Sequence, residues 1–252
     1  MPTTSANSGL FGVNEQSEKF NKSEVELHYS VVQKLMYIYK HACPYIEPAL
    51  SYFSTRVSNA AKDDQNKLDR VLDFLKNTIY DSHIIGASCL DEIYRWIDVS
   101  FAVHPNVRSH TGGTMSFGTD IVHVKSSKQK LNMCSSTEAE LVGVSDYLPY
   151  HIWMEFFMKS QGYDLKKKTL YQDNQSTIKM EQNGHNYCTG NSRYMKIKFF
   201  FVHDHVKSGK LKVLHCPTEH MFANFFTKPL QGSSFKMIRD AIMGYDMHDI
   251  VN

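Results

Sequence analysis

The sequence predicts an α/β fold: a five-stranded mixed sheet flanked by helices and preceded by a small helical unit. Three observations carry this expectation. Apolar residues recur at the 3.6-residue helical period before about residue 80; strand-like stretches with turn residues follow to about residue 124; helix and strand patterns then alternate to about residue 216. At 252 residues and 42% hydrophobic, the chain has enough apolar material to fill a core. A net charge of +2 does not by itself announce a nucleic-acid binder, so any polyanion contact must come from local clusters. Cys43, Cys89, Cys134, Cys188 and Cys216 make an odd set of five without CxxC spacing. That argues against a disulfide framework and a zinc ribbon, and for a reduced intracellular setting, cytoplasmic or nuclear. No apolar run approaches the roughly 20 residues that span a bilayer, and residues 1–24 lack the pattern of a signal peptide. No membrane partner is expected.

Residues 1–24, rich in Ser, Asn, Thr and Gly, read as a flexible leader without a site. From 25 to 88 the sets Val32/Leu35/Met36/Tyr39, Ile46/Leu50/Phe53/Val57 and Leu68/Val71/Leu72/Leu75 predict three helices. The segment 89–230 opens with a strand at Ile93 to Val99. Gly112-Gly113 reads as a turn, and Thr114 to Phe117 and Ile121 to Val124 as two short strands. Ser135-Ser136-Thr137-Glu138 is a capping-box start for a helix bearing Leu141, Val144 and Leu148, with Pro149 starting a second helix. A strand at Thr169 to Asp173, a helix from near Asn174, a longer helix from about Ser192 to Lys207, a strand at Leu211 to Cys216 and a helix after Pro217-Thr218 complete the segment. Residues 231–252 read as a C-terminal helix and tail.

Four oxygen-bearing side chains stand out: Asp98 and Asp173 at strand ends, Glu140 near the start of its helix, and Asn224 beyond Thr218. Adjacent strands can set Asp98 beside Asp173, and two such anions repel unless a cation lies between them, which suits magnesium with oxygen ligands. A pair of ions about 3.5 to 4 Å apart is the arrangement that hydrolyses phosphodiesters. The same spacing equally fits turn residues at strand ends and a solvated helix position.

Six ordered motifs add to this: Ile97-Asp98-Val99-Ser100, Arg108 to Gly113, Ser126 to Lys130, Ser135 to Leu141, Tyr171 to Ser176, and Pro217-Thr218-Glu219 with Phe225 to Leu230. Together they resemble the ribonuclease H domain of Ty1/copia-type retrotransposon polyproteins. Tyr29 to Val32, Leu35 to Tyr37, Cys43 to Ile46 and Arg70 to Lys76 are similar to the segment joining that family's polymerase to its nuclease. The resemblance implies a ribonuclease H-like fold that cuts the RNA strand of an RNA/DNA hybrid with two Mg2+ ions, Mn2+ substituting. It places catalytic and metal-binding roles on Asp98, Glu140, Asp173 and Asn224. Glu138 belongs to the motif but sits about 200° around the helix from Glu140, so it is assigned to the cap. Two departures matter. Asn224 replaces the family's final aspartate, and Tyr194-Met195-Lys196-Ile197-Lys198 replaces His-Ile-Asp-Ile-Arg. Asn224 removes a negative charge, so one ion should bind more weakly. The sequence does not contain the polymerase palm with its paired aspartates, as in a truncated or decayed copy.

For the hybrid, Lys125, Ser126, Ser127, Lys128 and Lys130 are candidate phosphate contacts, and Asn174, Gln175 and Ser176 candidate donors to 2′-hydroxyls. His203, His205, His215 and Cys216 suggest zinc only superficially, since a two-residue helical spacing points the histidines apart. His220 reads as a capping or surface residue. Without a Gly-x-Ser-x-Gly elbow, serine hydrolase chemistry is set aside. The expectation is a metal-dependent nuclease with an RNA/DNA hybrid and the polymerase portion of the same polyprotein as partners. The alternative is a catalytically silent nucleic-acid-binding or structural remnant. The sequence does not set the oligomeric state.

Overall fold

The computed structural model describes residues 2–183 and 193–245. Cys188, the Tyr194 side chain and the tail beyond residue 245 lie outside the described residues. Three helices come first. In α1 (Lys22–His41) the Asn21 side chain accepts from the Glu24 backbone N–H at 3.0 Å, while Glu24 accepts from the Asn21 N–H at 2.8 Å. This reciprocal cap satisfies two orphan donors of the first turn. After α2 (Glu47–Arg56) comes α3 (Lys62–Asn77), whose buried Asp64 accepts from the Ala61 N–H at 2.9 Å and the Tyr52 hydroxyl at 2.6 Å. One carboxylate thus caps α3 and ties it to α2.

The sheet comprises β1 (Glu92–Ser100), β2 (His110–Ser116), β3 (Ile121–Lys128), β4 (Lys167–Gln172) and β5 (Lys212–His215) in the order β3-β2-β1-β4-β5. β2 runs antiparallel to β1 and β3, whereas β4 runs parallel to β1 and β5. This is the five-stranded mixed sheet that the sequence predicts. Helices α4 (Ser136–Ser160), α5 (Gln175–Asn183) and α6 (Arg193–Lys207) cover one face. There Ile93 and Ile97 of β1 pack with Leu141, Val144, Ile178, Phe199 and Val202. On the other face Tyr94 and Trp96 join a core built from α1 to α3, α7 (Asn224–Thr227) and α8 (Gly232–Ile242). Phe74 of α3 and Phe235 of α8 meet edge to face at 5.6 Å. The helical unit and the C-terminal helix therefore share a core with the sheet.

Several sequence expectations are corrected. Gly112-Gly113 is no turn but the interior of β2, and the turn to β3 falls at residues 117–120, where Gly118 has φ 107°. Pro149 does not start a new helix. It lies inside a continuous α4, although it offers no N–H to the Ser145 carbonyl; buried residues on both sides, from Leu141 to Met158, hold the helix to the sheet. The expected leader is packed: Thr4, Ser5, Leu10 and Phe11 are buried, and Phe11 lies on His104 and His110 with ring centroids 5.1 and 4.5 Å away. Its apolar Leu10-Phe11 pair outweighs the polar composition around it. After Pro217 the chain makes a 3-10 turn (Thr218–His220) before α7, so Asn224 opens a one-turn helix instead of lying within a longer one. Among the described residues no helix is long and apolar enough to cross a membrane.

Candidate metal centre

Asp98 shares the face of Tyr94 and Trp96 near the C-terminal end of β1. Asp173 directly follows β4. The parallel register pairs Trp96 with Tyr171, so continuing both strands by two residues brings Asp98 alongside Asp173. Glu140 reaches the same strand ends from the second turn of α4, where its Oε1 accepts from the Val99 backbone N–H at 3.2 Å. Oxygens of Asp98, Glu140 and Asp173 all lie within 4.8 Å of one another, the one such group of potential ligands among the described residues. Asp98 and Glu140 are buried and Asp173 is half-buried.

The electrostatics follow from that crowding. Burial pushes the Asp98 carboxyl up, and Asp173 adds to the rise, while Lys228 and the Thr227 hydroxyl oppose it. Glu140 is raised well above the usual carboxylate range, first by burial and then by the charges of Asp98 and Asp173. Its Oε2 is buried with no hydrogen-bond partner. A buried carboxylate oxygen without a partner, on a side chain that stands among like charges, fits a divalent cation, which would satisfy the oxygen and offset the repulsion. These three side chains are the ones that could hold it.

Asn224 is buried but engaged elsewhere. Its Nδ2 donates to the Thr218 carbonyl at 3.0 Å, and its Oδ1 accepts from Lys228 Nζ at 2.5 Å. The same Nζ lies 3.4 Å from Asp98 Oδ2, which also accepts from the Thr227 hydroxyl. Asn224 thus meets Asp98 through a lysine. Thr227 and Lys228 were missed as site residues; the available signal was their spacing of three and four residues from Asn224, which shares a helical face.

The other predicted residues divide. Lys125, Ser127, Lys128 and Lys130 line a cleft of about 580 Å³ between β3 and α4, with Tyr147 and Tyr150 on its wall. Ser126 points the other way: its hydroxyl donates to the Phe226 carbonyl at 2.8 Å and meets His110 Nε2 at 2.6 Å. His110 Nδ1 in turn meets His104 Nε2 at 2.9 Å, forming a chain that ties α7 to the sheet and that was also missed from sequence. Asn174 caps α5, its Oδ1 accepting from the Ser176 and Thr177 N–H groups at 3.0 and 3.2 Å, while Gln175 and Ser176 remain exposed. His203 and His205 use their Nδ1 atoms on the Glu181 and Phe201 carbonyls, both at 2.8 Å, and among the described residues they join no group of potential metal ligands.

No family model matches the chain. Among curated proteins it is 26% identical over 227 residues to the Retrovirus-related Pol polyprotein from transposon TNT 1-94 of Nicotiana tabacum, covering 89% of this chain and 17% of that one. It is 26% identical over 198 residues to the corresponding polyprotein from transposon RE2 of Arabidopsis thaliana, covering 76% and 14%. It is 26% identical over 141 residues to the Transposon Ty1-JR1 Gag-Pol polyprotein of Saccharomyces cerevisiae, covering 56% and 8%. Its homologues are Pol polyproteins of Ty1/copia-type retrotransposons. The chain spans 17% or less of the length of these relatives. Among solved structures, a ribonuclease H1 isolated from compost aligns with a TM-score of 0.37 and 15% identity, over 51% of this chain and 86% of that one. A Prototype Foamy Virus protease–reverse transcriptase aligns with a TM-score of 0.37 and 9% identity, over 68% and 24%.

Proposed function

We propose that this chain is the ribonuclease H-type nuclease portion of a Ty1/copia-type polyprotein, or of a truncated copy, and hydrolyses the RNA strand of RNA/DNA hybrids with Mg2+ or Mn2+. The observation that carries the reading is the convergence of Asp98, Glu140 and Asp173 from two parallel strands and a helix, with a buried Glu140 oxygen left unpaired. A divalent ion bound there would supply Lewis-acid stabilisation of a phosphoryl oxygen and an activated water. The chain's own groups hold the ligands in place: the Val99 N–H orients Glu140, and the Thr227 hydroxyl orients Asp98. The cleft lysines Lys125, Lys128 and Lys130 position the phosphate backbone without reading sequence, while exposed Gln175 and Ser176, next to Asp173, suit contacts to 2′-hydroxyls. The polymerase portion of the same polyprotein is the expected protein partner.

The test is cleavage of a labelled RNA/DNA hybrid in Mg2+ or Mn2+ by this chain and by Asp98→Asn. Equal background from both sinks the nuclease reading. A second reading, a catalytically silent nucleic-acid binder, is favoured by the amide at Asn224 and its contact with Lys228. Salt-sensitive hybrid binding without Asp98-dependent cleavage would select it.

A further inference from the structure

We infer that the Lys228 ammonium is a resident, tethered cation of the carboxylate cluster, seated between Asp98 and Asn224, and that it limits the cluster to a single divalent ion. The inference rests on the proposed metal-centre reading and adds its stoichiometry. Lys228 Nζ lies 3.4 Å from Asp98 Oδ2 and 2.5 Å from Asn224 Oδ1, so it bridges the two side chains and takes the Asn224 oxygen that would be needed to hold a second ion. The seat is built into the backbone, because the Lys228 N–H donates to the Asn224 carbonyl at 2.9 Å and closes α7. The preceding residue, Thr227, donates to the same Asp98 Oδ2. Consecutive residues therefore engage Asp98 Oδ2, while oxygens of Glu140, whose Oε2 has no partner, and of Asp173 lie within 4.8 Å of an Asp98 oxygen.

Charge explains why the lysine sits there. A carboxylate at position 224 would compete with Asp98 for Lys228 through an i,i+4 pair. An amide offers the ammonium only a dipole, and Asp98 is then the anion within reach. Asn224 Oδ1 cannot serve the ammonium and also a magnesium ion at about 2.0 to 2.1 Å, since the two cations would repel at that separation. The Lys228 side chain is 45% exposed, so it is held by its contacts and not walled in.

The test is a Mn2+ titration of the full chain, with free Mn2+ followed by electron paramagnetic resonance. Wild type should bind one Mn2+ per chain, and Lys228→Arg should match it. Lys228→Met should bind about tenfold more tightly or better, and the double variant Asn224→Asp/Lys228→Met should bind two ions. Lys228→Gln serves if the methionine variant does not fold. The inference is overturned if wild type binds two ions, or if Lys228→Met and Lys228→Gln keep the wild-type affinity. Asp98→Asn separates the two readings: loss of binding there with no lysine effect defeats this inference alone. Unchanged binding in Asp98→Asn, or no binding in any variant, defeats the metal centre together with it.

Discussion

Gly113 lies directly against the Tyr147 ring: a Cβ at position 113 would come within 2.3 Å of Tyr147 Cε2. The glycine therefore sets how closely α4, which carries Glu140, approaches the sheet. Gly113→Ala should force the ring or the helix outward and destabilise the protein by about 1 to 3 kcal/mol, the usual cost of overpacking. Urea unfolding measures it. In the double variant Gly113→Ala/Tyr147→Leu the two costs should be less than additive, because the smaller side chain removes the clash. Full additivity would show that the glycine serves some other purpose.

That pair also shows where the sequence stops being legible. Apolar periodicity at the helical spacing located α1 to α3, and the strand-like run Ile93 to Val99 located β1, which is buried on both faces. The Asp98–Asp173 neighbourhood followed from two strand ends that a parallel register aligns. Gly112-Gly113 misled because a local code reads paired glycines as a turn. Their actual cause is tertiary: a Cβ on Gly112 would come within 2.6 Å of the Ala223 carbonyl, as Gly113 meets Tyr147. Lys228 was equally hidden, since its contact with Asp98 joins residues 130 positions apart, and no periodicity reports such a contact. Ser126 read as a surface hydroxyl in a basic loop, yet it sits in a strand whose alternation turns it inward.

The histidine chain gives a pH dependence. Ser126 donates its one hydroxyl proton to the Phe226 carbonyl, so His110 Nε2 must donate to Ser126 Oγ, and His110 Nδ1 must accept from His104 Nε2–H. Both rings are neutral in this pattern. Burial lowers His104 from 6.5 to about 4 and His110 from 6.5 to about 3, with nearby Lys128 adding to both shifts. The unfolded chain therefore takes up protons that the folded chain refuses. Their contribution to stability is complete above pH 6.5 and is lost as pH falls toward the folded values. At about 1.4 kcal/mol per pH unit, His110 alone should cost roughly 2 kcal/mol between pH 6.5 and 5. His123 and His151 are lowered as well, so the test is a difference between variants. Urea midpoints of His110→Gln should fall less steeply over this range than those of wild type, and parallel slopes would dismiss the chain as the source.

The cleft lysines should act as phosphate contacts of similar kind. Replacing Lys125, Lys128 or Lys130 with Ala should weaken binding of an RNA/DNA hybrid alike for different sequences, and each should lower the salt slope by about 0.9. Ser126→Ala should leave that slope unchanged, since its hydroxyl is spent on His110 and Phe226. Fluorescence anisotropy from low to moderate salt tests both claims. A Ser126 effect as large as that of Lys128 would place the nucleic acid on the opposite face of β3.

Arg95 offers a test of stability alone. It lies on β1 beneath α4, is 1% exposed, and none of its three side-chain nitrogens has a hydrogen-bond partner. Burial lowers its guanidinium to about 9, so at neutral pH it remains charged, with Tyr147 and Glu155 as the groups that favour the charge. Glu155 is already paired with Lys168, which leaves little compensation for the desolvation of Arg95. Replacing an unsatisfied buried charge with an apolar side chain of similar volume commonly stabilises by about 1 to 4 kcal/mol. Arg95→Met should therefore raise the urea midpoint without changing the slope of the transition. His151 supplies a second readout: burial lowers its ring to about 2, and the charge of Arg95 is the next largest cause. In Arg95→Met the His151 ring should take up its proton at higher pH, visible in its nuclear magnetic resonance titration. A lowered midpoint with an unmoved His151 would mean that Arg95 is solvated or paired in solution, and that its charge contributes to the fold.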